Sequence, residues 1–397
     1  MKKIILAFSG GLDTSFCIPY LKEKGYDVIT VTVDTGGFNK EDLEKIANKS
    51  KEYGAIKHYQ IDAKEELYKN FITYLIKANY QKGGVYPACV GPERIVTAIK
   101  IAEIAKEENC QIIAHGSTGA GNDQVRFDLA LQTLIPNCEI ITSIRDENWT
   151  RIKEVEFLIA HGFEVSENTK DYSINVGLLG ITIGGKETKL TKSNVPENIF
   201  PNVKILEEAN NEKQIFKITF QNGLPVKLDD ESLSGIDLIK SLNKIGQNNG
   251  FGKDYHIGTT IIGIKGRIAF EAPAMKILIK AHSELEKIVL TSKQIFWKNT
   301  LGIIYGDLVH EGLYFEPIIK DIEAFLDSSN VYVEGEVVLE IYKGNLSINS
   351  ISSKYSLFES KVAIYGEENS MWNGLEAKAF CKLYGLESKI AYSKQNQ

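Results

Sequence analysis

The segment LAFSGGLDTSF, residues 6–16, decides the fold. An apolar run typical of a buried strand ends at Phe8, and Ser9, Gly10 and Gly11 then lead into a helix-forming segment. Glycines allow a tight turn and a close backbone approach, and a helix start presents free N–H groups to an anion. A simple helix cap formed by Asp13 or Thr14 is the alternative. We predict a strand–loop–helix unit whose loop binds phosphate.

Alternating strand and helix patterns surround this unit. Short apolar segments rich in β-branched residues predict buried strands at residues 2–8, 27–34, 55–62, 110–116 and 139–144. Helical spacing, for example Leu67, Phe71 and Leu75, occurs between them. This alternation predicts an α/β fold with a doubly wound parallel sheet, in which ligands bind at the carboxyl ends of the strands.

A different pattern begins near residue 165. The pairs Asn222-Gly223 and Gly344-Asn345 predict hairpin turns, and helical segments lie between them, so this half is α+β. The final stretch predicts a helix with a polar tail suited to oligomerisation. We therefore expect a nucleotide-binding domain at 1–165, an α+β domain at 166–370 and a C-terminal helix and tail at 371–397.

Composition excludes several classes of function. The chain has 397 residues, a net charge of −6 and 43% hydrophobic residues, which argues against a nucleic-acid partner. No apolar run is long enough for a membrane span. The five cysteines lack CxxC spacing and the histidines are scattered, so we expect reduced thiols in the cytoplasm and no protein metal site. We expect His58, His161, His282 and His310 to be structural.

A second polar segment, HGSTGAGNDQVRFD at residues 115–128, begins at the end of the strand predicted at 110–116. Asp123 could hold an ammonium group and Arg126 a carboxylate, which together suit an amino-acid substrate. The alternative is a capped helix start with Arg126 in a surface ion pair. The first loop lacks the lysine and the spacing of GxxxxGK[ST], which argues against a loop built for γ-phosphate transfer.

Both polar segments resemble motifs of known protein families. SGGxDTS resembles the loop of the adenine-nucleotide α hydrolases, the PP-loop ATP pyrophosphatases. The 115–128 segment, with residues 86–94, 172–180 and 261–274, resembles the argininosuccinate synthase family over essentially the whole chain. The resemblance implies a HUP, Rossmann-like domain and a synthetase domain in a cytoplasmic homotetramer of arginine biosynthesis. It also implies ligation of citrulline to aspartate, with ATP as co-substrate and Mg²⁺, through a citrullyl-adenylate that forms as pyrophosphate leaves and then releases AMP.

The resemblance also assigns residues to each substrate. Asp13, Asp123 and Arg126 are the candidate catalytic residues. ATP would be bound by Ala7, Phe8, Ser9, Gly10, Gly11, Leu12, Asp13, Thr14, Ser15, Val33 and Gly116. Aspartate would be bound by Thr118, Asn122 and Asp123. Citrulline would be bound by Tyr86, Asn122, Arg126, Ser173 and Thr182, and by the altered positions Gly91, Gly258 and Phe270.

The departures from the family pattern affect mainly the citrulline side. A Thr-Ser or similar pair is replaced by Val90-Gly91, a glutamate expected near the citrulline amino group by Gly258, and a tyrosine by Phe270; Ala120 replaces a common lysine of the 115–128 segment. A buried ammonium group needs a charged or strongly polar partner. We expect citrulline as the acceptor, and an acceptor with an acylated α-amino group stays open as an alternative. A non-catalytic nucleotide-binding homologue is the second alternative.

Overall fold

A parallel five-stranded sheet forms the first half of the protein. The computed structural model describes residues 2–165, 172–358 and 371–396. The sheet order is β3-β2-β1-β4-β5, with β1 (Lys2–Ala7), β2 (Tyr26–Asp34), β3 (Lys57–Asp62), β4 (Ile112–Ala114) and β5 (Glu139–Ile141). The predicted strands are confirmed. The strand order reverses between β1 and β4, and this switch point is where ligands bind in such sheets.

Helices connect these strands. They are α1 (Leu12–Glu23), α2 (Lys40–Glu52), α3 (Lys64–Leu67), α4 (Thr73–Lys77), α5 (Gly91–Glu107), α6 (Asp123–Leu134), α7 (Ser143–Asp146) and α8 (Arg151–Ala160), with a π-helical turn at Tyr68–Ile72. Leu67, Phe71 and Leu75 are fully buried, as their spacing predicts.

Two antiparallel sheets form the second half. One has the order β11-β12-β7-β6 and the other β10-β9-β8-β13-β14. The strands are β6 (Tyr172–Gly177), β7 (Gly180–Gly185), β8 (Gln214–Gln221), β9 (Leu224–Leu228), β10 (Glu231–Ser232), β11 (Lys253–Thr259), β12 (Lys265–Glu271), β13 (Gly335–Tyr342) and β14 (Asn345–Ser352). The helices are α9 (Gly235–Asn248), α10 (Pro273–Val289), α11 (Ser292–Glu311), α12 (Ile318–Asn330), α13 (Gly374–Tyr384) and α14 (Leu386–Gln395), with 3₁₀ turns at Lys186–Lys189 and Glu197–Ile199.

The hairpin predictions are confirmed with one shift. Asn222-Gly223 joins β8 to β9 as expected. The second turn lies at Lys343-Gly344, one residue before the predicted pair, because these two residues take positive φ (43° and 79°) while Asn345 already begins β14. The C-terminal stretch, predicted as one helix, consists of α13 and α14.

One hydrophobic core joins the two halves. It extends from Ile5 and Leu75 in the first half to Leu278 and Val309 in the second. The predicted domain boundaries at 165/166 and 370/371 adjoin residues outside the described ranges. Neither α13 nor α14 contributes a buried residue to the described structure, and Tyr384 is 82% exposed there.

Candidate functional site

A cleft of about 930 Å³ lies between the carboxyl ends of the parallel sheet and one face of the β11-β12-β7-β6 sheet. The loops that follow β1 and β4 form one wall, as the switch point predicts. The opposite wall comes from the second half of the chain. Both polar segments singled out in the sequence therefore open into one cavity.

The loop after β1 is ordered by its own side chains. The Ser9 Oγ and Thr14 Oγ1 lie 3.2 Å apart, and Ser15 donates to the Gly10 carbonyl at 3.3 Å. Gly10 has a φ of +75°, and a Cβ there would lie 2.8 Å from the Ile46 side chain. α1 then begins without a side-chain cap, so its first N–H groups are available to an anion. The simple-cap alternative is wrong for this helix.

Near the ends of β1 and β2 the cleft is lined by apolar groups. Ala7, Phe8 and Val33 line it at the ends of β1 and β2, and Val33 is nearly buried. Gly116 lies against α1, since a Cβ there would be 3.0 Å from the Thr14 Cγ2. This lining suits the flat, largely apolar surface of a purine beside the anion-binding loop.

Asp13 faces a second carboxyl group, that of Glu154 on α8. Glu154 is 1% exposed, and burial together with the charge of Asp13 raises the pKa of Glu154 to about 8. The Asp13 Oδ1 also lies 3.8 Å from the Arg151 Nε. At neutral pH Glu154 is therefore protonated, which limits the negative charge beside the loop.

This pair predicts a pH dependence. As the pH rises through about 8, Glu154 loses its proton and adds a negative charge beside the phosphate loop. The KM for ATP, the co-substrate that the family resemblance implies, should therefore rise several-fold between pH 7 and 9. Glu154→Gln, which keeps the neutral shape, should remove most of this rise. Glu156→Gln, at an exposed position of the same helix, is the matched control and should behave like wild type. An equal rise in both variants would contradict the assignment.

Asp123 lies between two guanidinium groups. It accepts from the Arg94 Nε at 2.9 Å and from the Arg126 Nη1 at 2.8 Å. Burial alone would raise the pKa of Asp123, but the two arginines lower this pKa to about 2. The Arg94 Nη2 also donates to Asn175 at 2.7 Å. Asp123 is thus an ionised acceptor held in a fixed orientation.

The guanidinium group of Arg126 is hydrogen-bonded to other residues of the protein. It is 4% exposed, and its Nε donates to the His310 carbonyl at 2.8 Å while Nη1 binds Asp123. The Nε and Nη1 of Arg126 thus already have acceptors within the protein, and its binding of a substrate carboxylate stays a prediction. The alternative of a surface ion pair is wrong, since the side chain is buried. His310, expected to be structural, lines the cleft beside it.

Asn122 connects the two walls of the cleft. Its Oδ1 accepts from the Ile261 N–H at 2.9 Å, which ties the start of α6 to the β11–β12 turn. Thr118 lines the cleft on the same segment. The aspartate-side residues predicted from the sequence therefore lie together at the boundary between the halves.

The strand register of the β11-β12-β7-β6 sheet determines which of its side chains face the cleft. Phe270 pairs with Thr182, Thr182 with Asn175, and Gly258 with Gly266, and paired residues point to the same face of a sheet. Ser173, Thr182 and Gly258 line the cleft from this face. Phe270 shares the face but is fully buried, because it packs edge-on against the Tyr86 ring at 5.2 Å.

Four predicted residues lie outside the cleft lining. These are Gly10, Ser15, Gly91 and Phe270. Gly91 lies behind the wall, since a Cβ there would be 3.7 Å from the Arg126 Nε. Tyr86 does line the cleft, but its hydroxyl donates to the Cys89 carbonyl and the His256 ring stacks on it at 5.5 Å. It therefore offers the edge of its ring more than its hydroxyl.

Sequence reasoning missed several lining residues, namely Arg94, Asn175, His256 and His310. Two of them had a signal in the sequence. Arg94 lies in the 86–94 segment that carries the family resemblance, and Asn175 lies two residues after Ser173, on the same face of the strand. The contact between Arg126 and His310 joins residues far apart in the chain. No local sequence pattern predicts such a contact.

Comparisons with known proteins agree along the whole chain. Residues 3–164 match the family model for the arginosuccinate synthase N-terminal HUP domain, and residues 172–391 match that for the arginosuccinate synthase C-terminal domain. Proteins named argininosuccinate synthase from Pyrococcus furiosus and Sulfurisphaera tokodaii are each 41% identical, covering 98% of this chain and 94% and 98% of the relatives. One from Staphylococcus saprophyticus is 35% identical, covering 98% of this chain and 96% of the relative.

Proposed function

Because the chain belongs to the argininosuccinate synthase family, we propose that the cleft joins citrulline to aspartate at the expense of ATP. The chain is a ligase that forms a C–N bond and releases AMP, as its family does. One observation carries the assignment of the site. The uncapped start of α1 and the Asp123 cluster open into the same cleft, so an activated phosphate and an amino acid can meet there.

In the first step, the ureido oxygen of citrulline attacks the α-phosphorus of ATP. An O–P bond forms, the bond to the β-phosphate oxygen breaks, and pyrophosphate leaves. The N–H groups at the start of α1, with Ser9, Thr14 and the backbone of Gly11, would hold the departing phosphates. Burial between the two walls would align the reactants, which is the main source of rate in such a displacement.

In the second step, the aspartate amine attacks the activated ureido carbon. A C–N bond forms as the amine gives up a proton, the C–O bond to the adenylate breaks, and AMP leaves. Asp123 would orient the amine, because its carboxylate is ionised and held by Arg94 and Arg126. Thr118 and Asn122 would hold the remainder of the aspartate. No covalent enzyme nucleophile is needed in this scheme.

Magnesium would accompany ATP. Among the described residues no group of three or more potential ligands could hold a metal ion. Asp13 is nevertheless the carboxylate on the phosphate loop, and it lines the cleft. The donor set therefore fits an ion held mainly by phosphates and water, with Asp13 as its protein ligand or in a bridging role; bound Mg²⁺ would neutralise phosphate charge.

The C-terminal helices suit oligomerisation. Phe380, Leu383 and Tyr384 of α13 are each more than half exposed. Such a cluster of large apolar side chains is typical of a surface that packs on another chain. We propose that α13 and α14 dock on other copies in a homotetramer. Within the described structure no helix is both long and apolar enough to cross a bilayer.

We propose a cytoplasmic location because the relatives of this chain are biosynthetic enzymes.

The test is pyrophosphate release with ATP, aspartate and citrulline or its Nα-acetyl derivative. We expect release over many turnovers only when ATP, aspartate and a ureido acceptor are all present; without aspartate, the first step can release at most about one pyrophosphate per site. Release that is independent of aspartate and of the acceptor would contradict the proposal. Tight ATP binding without release under any of these conditions would favour the non-catalytic homologue.

A further inference from the structure

The acceptor side of the cleft has few negative charges. Asp13 and Asp123 are the only carboxylates among the described residues that line the cleft. Asp13 lies on the phosphate loop, and Asp123, which two guanidinium groups hold, is already the proposed partner of the aspartate amine. The same lining contains Arg94, Arg126 and Arg267. Around Tyr86 and the second wall, therefore, positive side chains outnumber available carboxylates.

An imidazole lies beside Gly258 on the second wall of the cleft. A Cβ at Gly258 would lie 2.4 Å from the His256 Nε2, and one at Gly83 would lie 3.1 Å from its Cε1. The same ring stacks on Tyr86. Burial and the nearby charge of Lys82 lower the pKa of His256, so the ring is neutral at pH 7. It can exchange hydrogen bonds with a ligand but brings no negative charge.

Two nearby carboxyl groups do not supply the missing charge. Glu93 is 1% exposed beneath the second wall, and its Oε1 accepts from the Leu179 N–H at 3.4 Å. Burial raises the pKa of Glu93 to about 7, and the residue does not line the cleft. Asp307 already accepts from Lys82 at 2.9 Å. A free α-ammonium group would therefore lose water without gaining an ionic partner.

We propose that the acceptor end of this cleft accepts, and prefers, ureido amino acids whose α-nitrogen is acylated, with His256 as the specificity-determining residue. This inference rests on the proposed function and refines its acceptor. An amide nitrogen is neutral, so it needs hydrogen bonds but no counter-charge. The His256 ring, beside the space that a side chain at position 258 would fill, is placed to hydrogen-bond the acylamido group. The reaction steps are unchanged, because the ureido oxygen and the aspartate amine still react.

The experiment compares Nα-acetylcitrulline with citrulline at saturating ATP and aspartate, following pyrophosphate. We expect kcat/KM to favour the acetylated acceptor by about tenfold or more, the ratio that corresponds to about 1.4 kcal/mol. The double variant His256→Ala/Gly258→Glu should reverse the preference, because it removes the ring and introduces a carboxylate that can pair with a free α-ammonium group. The matched double variant His256→Ala/Gly258→Gln has the same size without the charge and should not favour citrulline.

The outcomes separate the two proposals. Wild-type preference for citrulline, or equal ratios in the Glu and Gln double variants, would overturn the acceptor inference and leave the proposed function standing. Absence of aspartate-dependent release with both acceptors would overturn both. Thermal unfolding identifies a double variant that fails to fold, in which case the wild-type ratio decides alone.

Discussion

Asp123→Asn is expected to lower kcat/KM for aspartate by about 10² to 10³-fold, which corresponds to a loss of about 3–4 kcal/mol of transition-state stabilisation. The substitution keeps the shape of the side chain but removes the charge that Arg94 and Arg126 share. The two guanidinium groups then repel each other, and the amine of aspartate loses its ionised partner. Steady-state pyrophosphate release with aspartate varied measures the effect.

The matched control is Asp327→Asn. Asp327 also pairs with a cation, since it accepts from Lys77 at 2.6 Å, but it does not line the cleft. Its loss should lower the melting temperature slightly and leave kcat/KM within about twofold. Equal loss of activity in the two variants would show that Asp123 acts only through stability.

Gly11→Val is expected to raise the KM for ATP by about 10²-fold, the effect of displacing a reactant by about 1 Å. Gly11 lines the cleft just before α1 and has a φ of −70° that valine can adopt. The fold should therefore persist, while a branched side chain enters the space that the phosphates need. ATP titration of the variant measures the effect.

Gly374→Val provides the control for the loop. A Cβ at Gly374 would meet nothing within 4 Å, and the residue begins α13, away from the cleft lining. Its KM for ATP should equal that of wild type. An unchanged KM for ATP in Gly11→Val, with a normal melting temperature, would show that this loop does not bind the phosphates of ATP.

The sequence predicts the parallel sheet and its loops well because the determining signals are local. Apolar runs of strand length and the turn residues Ser9 to Gly11 depend only on neighbours in the chain. The hairpin at Asn222-Gly223 is of the same kind. The second turn was placed one residue too late because Lys343, rather than Asn345, takes a positive φ.

The second wall could not be predicted in the same way. Its face depends on the register among β6, β7, β11 and β12, which long-range pairing decides. The Arg126–His310 contact joins residues 184 positions apart, and the Arg94–Asp123–Arg126 cluster changes what each charge is available to do. The 115–128 segment therefore identified Asp123 and Arg126 as candidates, whereas their partners Arg94 and His310 depend on the tertiary structure.

The most direct test of the central claim follows the ureido oxygen. An acceptor labelled with ¹⁸O at the ureido group, citrulline or Nα-acetylcitrulline, is converted with ATP and aspartate, and the AMP is analysed by mass spectrometry. The account predicts that the label appears in the phosphate of AMP, because this oxygen attacks the α-phosphorus and leaves with AMP. Unlabelled AMP, with ¹⁸O retained in the ligated product, would contradict it.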